Sequence, residues 1–323
     1  MSALTGFPTP GTFVVATDPL SPPPGLDGAV VALGNFDGVH RGHKAVIARA
    51  LAIAHRLQRP CAVLTFEPHP ADFFNGAHTI FRLTPQEAKI VTLAALGLDG
   101  MIVFTFDAAL SGLPAEDFVT DILIRRLAIK AVVAGYDFHF GKGRSGTPAF
   151  LKEAGVRHGF EVEIVERITA DADGSIEAAS STATRAALEQ GDVARARHLL
   201  GHPYVIIGTV TEGQKLGRTI GFPTANIVPE PSCRLRHGVY AVRVTVAESI
   251  YDGVANYGRR PTVGEGPALL EVFLFDFSGD LYGQTIEVDF IGFIRGEEKF
   301  ASLEALTAQI GKDAAQAKDL LKQ

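Results

Sequence analysis

The sequence predicts two domains of different class, a doubly wound α/β domain with a parallel sheet followed by a compact antiparallel β-barrel that ends in a helix. Three observations carry this. From Ala29 to about Val165, short β-branched runs alternate with longer helical patterns, the rhythm of a parallel sheet. Residues 203–292 read instead as several strands punctuated by Gly and Pro, with little helical pattern among them, as in a small barrel. The chain has 323 residues, enough for two ordinary cores.

In the first half, Ala29-Val-Val-Ala-Leu33 predicts a strand, followed by a helix from Gly42 to Leu57. Further strands are expected at Cys61–Phe66, Met101–Phe104 and Ala131–Ala134. A helix between them opens on Thr84-Pro-Gln-Glu87, with Thr84 as N-cap, Pro85 at the first helical position and Glu87 reaching back, a capping box. Two short helical segments, Thr182–Gln190 and Val193–Leu200, close this domain or join it to the next. The expected domains are 1–186 and 187–323. Strands at Val239–Val246, Leu269–Phe275 and Thr285–Ile291 belong to the barrel. A last helix from about Ser302 has Leu303, Leu306 and Ile310 at helical spacing, an apolar face to pack on it.

Composition excludes several classes. Hydrophobic residues make up 46% and charged residues 20%, as in soluble globular proteins. The net charge of −6 offers no basic field for a nucleic-acid backbone, so phosphate sites should be small and local and no nucleic-acid partner is expected. Cys61 and Cys233 are the only cysteines, which excludes a disulfide framework and fits a reducing, cytoplasmic location. No secretory signal or membrane-spanning run is read, so no membrane partner is expected.

Two segments carry chemistry. In Gly34-Asn-Phe-Asp-Gly-Val-His-Arg-Gly-His43 a strand runs into a glycine turn and then a helix. Backbone N–H groups of Gly34, Asn35, Phe36 and Gly42 and the helix N-terminus can there meet a polyphosphate, at the carboxyl edge where such sheets bind ligands. His40 and His43 lie on one face if the helix starts near them. Their N–H groups could then hold the oxygens that gain charge when an α-phosphorus is attacked. Asp37 is open to two readings, shaping the turn or approaching a metal.

The second segment is Gly217-Arg-Thr-Ile-Gly-Phe-Pro-Thr-Ala-Asn226. It lacks the Gly-Lys-Ser/Thr of a Walker loop. Gly217 and Gly221 allow close phosphate approach, while Thr224 and Asn226 point the same way on a strand and suit a Mg²⁺ that also binds ATP phosphates and water. Glu271 lies in Leu269-Leu-Glu-Val-Phe-Leu-Phe275, apolar on both alternating faces. A carboxylate there is expected to be paired, ligated or raised in pKa, and so to be a base for a substrate hydroxyl.

The string Gly34–His43 resembles the nucleotidylyltransferase superfamily. Together with Phe66-Glu-Pro-His-Pro70, Gly135-Tyr-Asp-Phe-His-Phe-Gly-Lys-Gly-Arg-Ser-Gly146, Ser180-Ser-Thr-Ala-Thr-Arg185 and the Gly217–Asn226 segment, the chain resembles the bacterial bifunctional riboflavin kinase/FMN adenylyltransferase family. That resemblance covers nearly the whole chain from about Ala29. It implies a Rossmann-like adenylyltransferase domain and a riboflavin kinase barrel, with riboflavin, FMN, FAD, ATP, ADP and pyrophosphate as substrates and products and Mg²⁺ in both steps.

By resemblance, Thr224 and Asn226 are metal-side residues and Glu271 is the base. His69, Asp137, Phe138, Phe140 and Arg295 meet the flavin, and Ser180, Ser181, Thr182 and Arg185 bind phosphate. Each also has a plainer reading. The serines and threonine are ordinary N-cap residues, His69 between two prolines holds a rigid turn, and the loop 141–146 is either a mobile basic loop or one that closes over ATP. Tyr257, where the family commonly has an aliphatic residue, and Phe273 and Glu212, where histidines are common, depart from its pattern. Ala183 takes a variable place. Two rivals remain: another phosphorylated acceptor in the first domain, or a flavin-binding regulator with dead sites.

Overall fold

The computed structural model describes residues 13–76, 79–167, 179–213, 221–259 and 268–322. The chain divides into two compact units, residues 1–80 with 89–180, and residues 81–88 with 181–323.

The first unit is a parallel six-stranded sheet flanked by helices. In chain order it holds β1 (Val14–Thr17), β2 (Val30–Leu33), α1 (Arg41–Leu57), β3 (Cys61–Glu67), α2 (Pro70–Asn75), α3 (Gln86–Ala95, whose first three residues group with the second unit), β4 (Gly100–Thr105), α4 (Ala108–Ser111), α5 (Ala115–Asp117), a π-helix (Phe118–Arg126), β5 (Ala131–Gly135), α6 (Pro148–His158) and β6 (Glu161–Val165). The strand order is β1-β4-β3-β2-β5-β6, with every neighbouring pair parallel. All four residues of β2 are buried, as a central strand covered on both faces requires. From β2 the chain winds out through β3 and β4, then returns to β5 on the other side of β2. The end of β2 is therefore the topological switch point, where open α/β sheets bind ligands. Gly34 follows it directly.

Helix α1 begins one residue before the expected Gly42 and α3 one after the expected Pro85. Strand β1 was not foreseen. Its four residues alternate between half-buried and exposed on the sheet's edge, too short a run to stand out. The nine-residue π-helix is equally invisible to a pattern of period 3.6.

The second unit opens with α7 (Ser181–Glu189) and α8 (Val193–Leu200), followed by β7 (Tyr204–Thr209), β8 (Ala225–Ile227), β9 (Gly238–Val246), β10 (Ser249–Gly258), β11 (Leu269–Leu274), β12 (Thr285–Arg295) and the terminal α9 (Leu303–Leu321). Its sheet runs β7-β12-β9-β10-β11-β8, antiparallel throughout. The two ends of this order meet just past β7, where the Thr211 N–H donates to the Asn226 carbonyl at 2.8 Å. The curled sheet thus closes towards the expected barrel. Gly208 faces Ile227 so closely that any β-carbon there would overlap its side chain. Phe81 and Leu83, 0% and 1% exposed, complete the same core with Tyr240, Val242 and Leu270. The apolar side of α9, with Ala317 and Leu321 buried, covers Val239, Ala241 and Val254; of the residues whose spacing predicted this face, Leu303 is 46% exposed and Leu306 and Ile310 are half-buried, so the helix packs through a later stretch than expected.

Arg295, expected at the flavin, spends its guanidinium here. It donates to both carboxylate oxygens of Asp313 on α9, at 3.0 Å from Nε and 2.7 Å from Nη2, and to the Gly296 carbonyl at 2.9 Å. Any flavin contact by Arg295 has to compete with a bidentate ion pair that ties α9 to β12.

Strand β12 also carries Glu287 and Asp289 on one face. Glu287 is 6% exposed; burial, then the neighbouring Asp289, push its carboxyl up to about 7. Asp289 is pushed up to about 6 by burial, against the pull of Arg243 and Arg197. A carboxyl raised in the fold binds its proton more tightly than in the unfolded chain, where it titrates near ~4.3. The stabilisation is present below that value and is lost as pH rises through about 7. The second unit should melt a few degrees lower at pH 8 than at pH 6, and Glu287→Gln should flatten this slope. A pH-independent melting curve for the unmodified protein would contradict the assignment.

Candidate active sites of the two units

The switch-point turn shows why Gly34–His43 has its sequence. Gly34 extends the pairing of β2, its N–H donating to the Leu64 carbonyl at 3.2 Å. Phe36 then folds back into the core at 0% exposure, and a β-carbon on Gly34 would sit 3.2 Å from its ring. Phe36 and Val39 adopt φ of 49° and 40°. A β-branched residue in the left-handed region is a true outlier, and strain of this kind persists where the surroundings over-determine it, commonly at functional sites. Asp37 is buried at 1% exposure. Phe36 thus offers only its backbone to a phosphate.

His40 is the N-cap of α1, its Nδ1 accepting from the His43 N–H at 3.3 Å. With Nδ1 accepting there, Nε2 is the nitrogen left to carry a proton. The two imidazoles stack with centroids 3.7 Å apart and planes 19° apart, so the one-face expectation holds. His43 is held well below the usual histidine range by burial, by His40 and by Lys89. Its Nδ1 is enclosed without a hydrogen-bond partner. The first turn of α1 has no acidic residue and brings Arg41 and Lys44 instead. Burial and Arg41 lower the Lys44 amine below its ordinary value. A helix N-terminus surrounded by cations is poorly arranged for itself and well arranged for an anion.

Around this turn, His69 caps α2 through its Nδ1, which accepts from the Ala71 N–H at 3.2 Å. Asp137 is exposed just past β5 and Phe138 is half-buried. Phe140 is a core residue at 6% exposure, its ring 5.0 Å from Phe118 and 5.9 Å from Phe138; it backs Phe138 rather than facing outwards. Sequence reasoning missed the aromatic cluster past β3 and β4. There Phe106 meets Phe66, Phe73 and Phe74 at 6.0, 5.5 and 5.7 Å, and Phe74 is 69% exposed. It also missed Lys89, which follows Gln86 and Glu87 in the first turns of α3 and so reads as one more polar residue of the helix start. Ser180 ends the first unit, while Ser181, Thr182 and Arg185 open α7 in the second. The Arg185 Nε donates to the Phe81 carbonyl at 2.7 Å.

In the second unit, strand register assembles the candidate kinase residues. Asn226 on β8 is directly opposite Glu271 on β11, and Glu271 is opposite Asn256 on β10. Directly paired residues share a face, so Asn226, Glu271 and Asn256 form a row across three strands. Thr224, two residues before Asn226, accepts from the Asn226 Nδ2 at 3.4 Å through its carbonyl. Gly213 lets the Asn226 amide pack against bare backbone, since a β-carbon there would lie 2.5 Å from Nδ2. Gly221 has φ of 85° and is exposed. Gly217 lies outside the described residues.

One expectation needs correction. Leu270, Val272 and Leu274 face the core, while Leu269, Glu271 and Phe273 lie on the half-open face. Glu271 is therefore half-buried, not sealed in apolar surroundings. The sequence misled because Leu269 and Phe273 are apolar yet lie on the half-buried face, where Phe273 packs against the cluster that α9 covers. Sequence reasoning missed Asn256, which only strand pairing brings into the row. Of the departures, Tyr257 is 1% exposed and its hydroxyl donates to the Cys233 carbonyl at 2.9 Å. Phe273 meets Phe222 edge-on at 5.3 Å.

Residues 23–182 match the FAD synthetase family and residues 200–321 the riboflavin kinase family. The bifunctional riboflavin kinase/FMN adenylyltransferase of Escherichia coli (strain K12) is 41% identical over 294 residues, covering 91% of this chain and 93% of that one. The chain belongs to the bifunctional riboflavin kinase/FMN adenylyltransferase family. The Haemophilus influenzae protein of the same name is 44% identical, over 91% of this chain and 94% of its own. A crystal structure from Streptococcus pneumoniae, titled a macrolide-efflux protein, superposes with a TM-score of 0.80 at 31% identity over 94% of this chain and 97% of that one. Among the described residues of this chain no helix is long and apolar enough to cross a membrane. The chain phosphorylates riboflavin to FMN and adenylylates FMN to FAD, using ATP.

Proposed function

We propose that the two reactions divide between the two sites just described. At the switch point, a phosphate oxygen of FMN attacks the α-phosphorus of ATP, the new P–O bond forms, and pyrophosphate leaves with the electron pair of the broken bond. A phosphate monoester with a second pKa of ~6 is already largely dianionic at neutral pH, so no strong base is needed. The work falls to positioning and charge stabilisation by the Gly34–Gly42 backbone, the α1 N-terminus and the His40–His43 pair. The observation that carries this reading is the acid-free, cation-lined start of α1 with its two stacked imidazoles at the switch point. The aromatic cluster of Phe66, Phe73, Phe74 and Phe106, with Phe138, offers a planar flavin its apolar wall. A phosphate role for Ser180, Ser181, Thr182 and Arg185 rests on their family-like string.

In the barrel, Glu271 takes the proton of the ribityl hydroxyl as its oxygen attacks the γ-phosphorus, and ADP leaves. The donors present fit Mg²⁺: Thr224 and Asn226 supply neutral oxygen groups with the Glu271 carboxylate in the same row, and hard oxygen donors suit that ion. Thr224 and Asn226 would hold it, and when bound it would neutralise phosphate charge. Cys61 and Cys233 form no disulfide, which supports work in the reducing cytoplasm. Incubation with riboflavin and Mg-ATP, followed by chromatography, should show FMN rising first and FAD after it. With a chelator in excess over Mg²⁺, neither should form. Turnover of another phosphate monoester in preference to FMN would favour the first rival, and no product at all the second.

A further inference from the structure

Lys89 is the one Lys or Arg among the described residues that is fully buried, at 1% exposure. Enclosing an ammonium costs several kcal/mol unless it is matched by partners, and three such partners lie together on Asn35 and β3. Nζ donates to the Asn35 carbonyl at 3.0 Å, lies 3.5 Å from Thr65 Oγ1 and balances its charge against Glu67 Oε1 at 3.4 Å. Thr65 Oγ1 donates to the same Asn35 carbonyl at 3.0 Å. Two donors thus converge on the single carbonyl that precedes the left-handed residues Phe36 and Val39. A turn held in unfavourable φ needs an anchor outside itself, and Lys89 is too enclosed to reach a substrate.

We propose that Lys89 is a positioning residue for adenylyl transfer, clamping the Asn35 carbonyl and with it the strained turn that aims His40 and His43. This rests on the reading of Gly34–His43 as the adenylyl-transfer site. The same ammonium, after burial and His40, contributes to keeping His43 neutral, which supplies a readout separate from folding.

The test uses the full-length protein carrying Lys89→Met, which keeps much of the stem and removes the charge and donor, with Lys89→Gln as the second variant. FAD formation from supplied FMN is measured as kcat and KM, FMN formation from riboflavin serves as the internal control, and the histidine ring signals are titrated by NMR. A misplacement of about 1 Å costs on the order of 10²-fold, so kcat for FAD formation should fall by that order. KM for FMN should stay within ~3-fold, as for loss of a transition-state interaction alone. FMN formation should persist, and His43 should titrate at a higher pH. FAD formation near the unmodified rate, a loss confined to KM, or a kcat loss with His43 titrating as before would overturn the proposal. So would failure of both variants to fold, which would make Lys89 a residue of the core alone. His43→Ala run in parallel separates the two readings: if it too leaves FAD formation intact, the site assignment fails, whereas if only the Lys89 variants are active, the positioning role fails.

Discussion

Glu271→Gln should all but abolish the conversion of riboflavin to FMN, by about 10²–10⁴-fold as for loss of a general base, while FAD still forms from supplied FMN. Glutamine keeps the size and hydrogen-bonding reach of the side chain, so the β11 pairing with Asn226 and Asn256 should survive and only basicity is lost. The half-open setting of Glu271 sharpens the expectation. In the free protein its face is partly wet, so the bound riboflavin itself must exclude water for the carboxylate to act on the hydroxyl. The loss should therefore appear in kcat more than in riboflavin affinity. Chromatography of products from riboflavin and, separately, from FMN checks both halves. Equal loss of the two activities would mean that Glu271 supports the whole molecule rather than one reaction.

What the sequence made legible, and what it did not, follows from the range of the interactions involved. Helix α1 and strands β2 to β5 are marked by local periodicity, and the Gly34–His43 string by a strand-turn-helix junction that each residue reports by itself. The start of α9 near Ser302 is equally local, whereas its buried residues Ala317 and Leu321 lie beyond the Leu303, Leu306 and Ile310 that its spacing singled out. The row of Asn226, Glu271 and Asn256 is not local. It exists because β8, β11 and β10 pair in one register, and neither the partnership of Asn256 nor the half-open face of Glu271 is written in any one strand. Lys89 is the same case within a helix. A lysine in the first turns of α3 reads as one more polar residue of the helix start until the Asn35 carbonyl and Glu67 are seen beside it. Phe81 and Leu83 fail the sequence reading for another reason. They lie within the α/β portion of the chain yet complete the barrel core, so a linear boundary cannot describe the second unit. Arg295, expected at the flavin from its family-like string, is also engaged by Asp313 on α9, a partnership that no local pattern announces.

His43→Ala should lower FAD formation by about 10²–10³-fold, the usual cost of one charge-stabilising donor, and leave FMN formation intact. The imidazole is stacked on His40 at 3.7 Å and kept neutral by burial first, then by His40 and Lys89, so at neutral pH it presents a single N–H. The pH dependence follows from the sign of that shift. A histidine depressed in the fold resists the proton that the unfolded chain accepts near ~6.5. Its stabilisation is therefore present above ~6.5 and is lost as pH falls through the lower folded value. The adenylyl-transfer rate of the unmodified protein should accordingly show no His43 titration between pH 7 and 8. Its first unit should become acid-labile below ~6.5, and His43→Ala should relieve part of that lability. Rate profiles from pH 5.5 to 8.5 and melting curves over the same range test the two statements separately. FAD formation at the unmodified rate would reduce His43 to a residue of the helix start. A lost rate with unchanged acid lability would keep its catalytic role and place its folded pKa near the ordinary value.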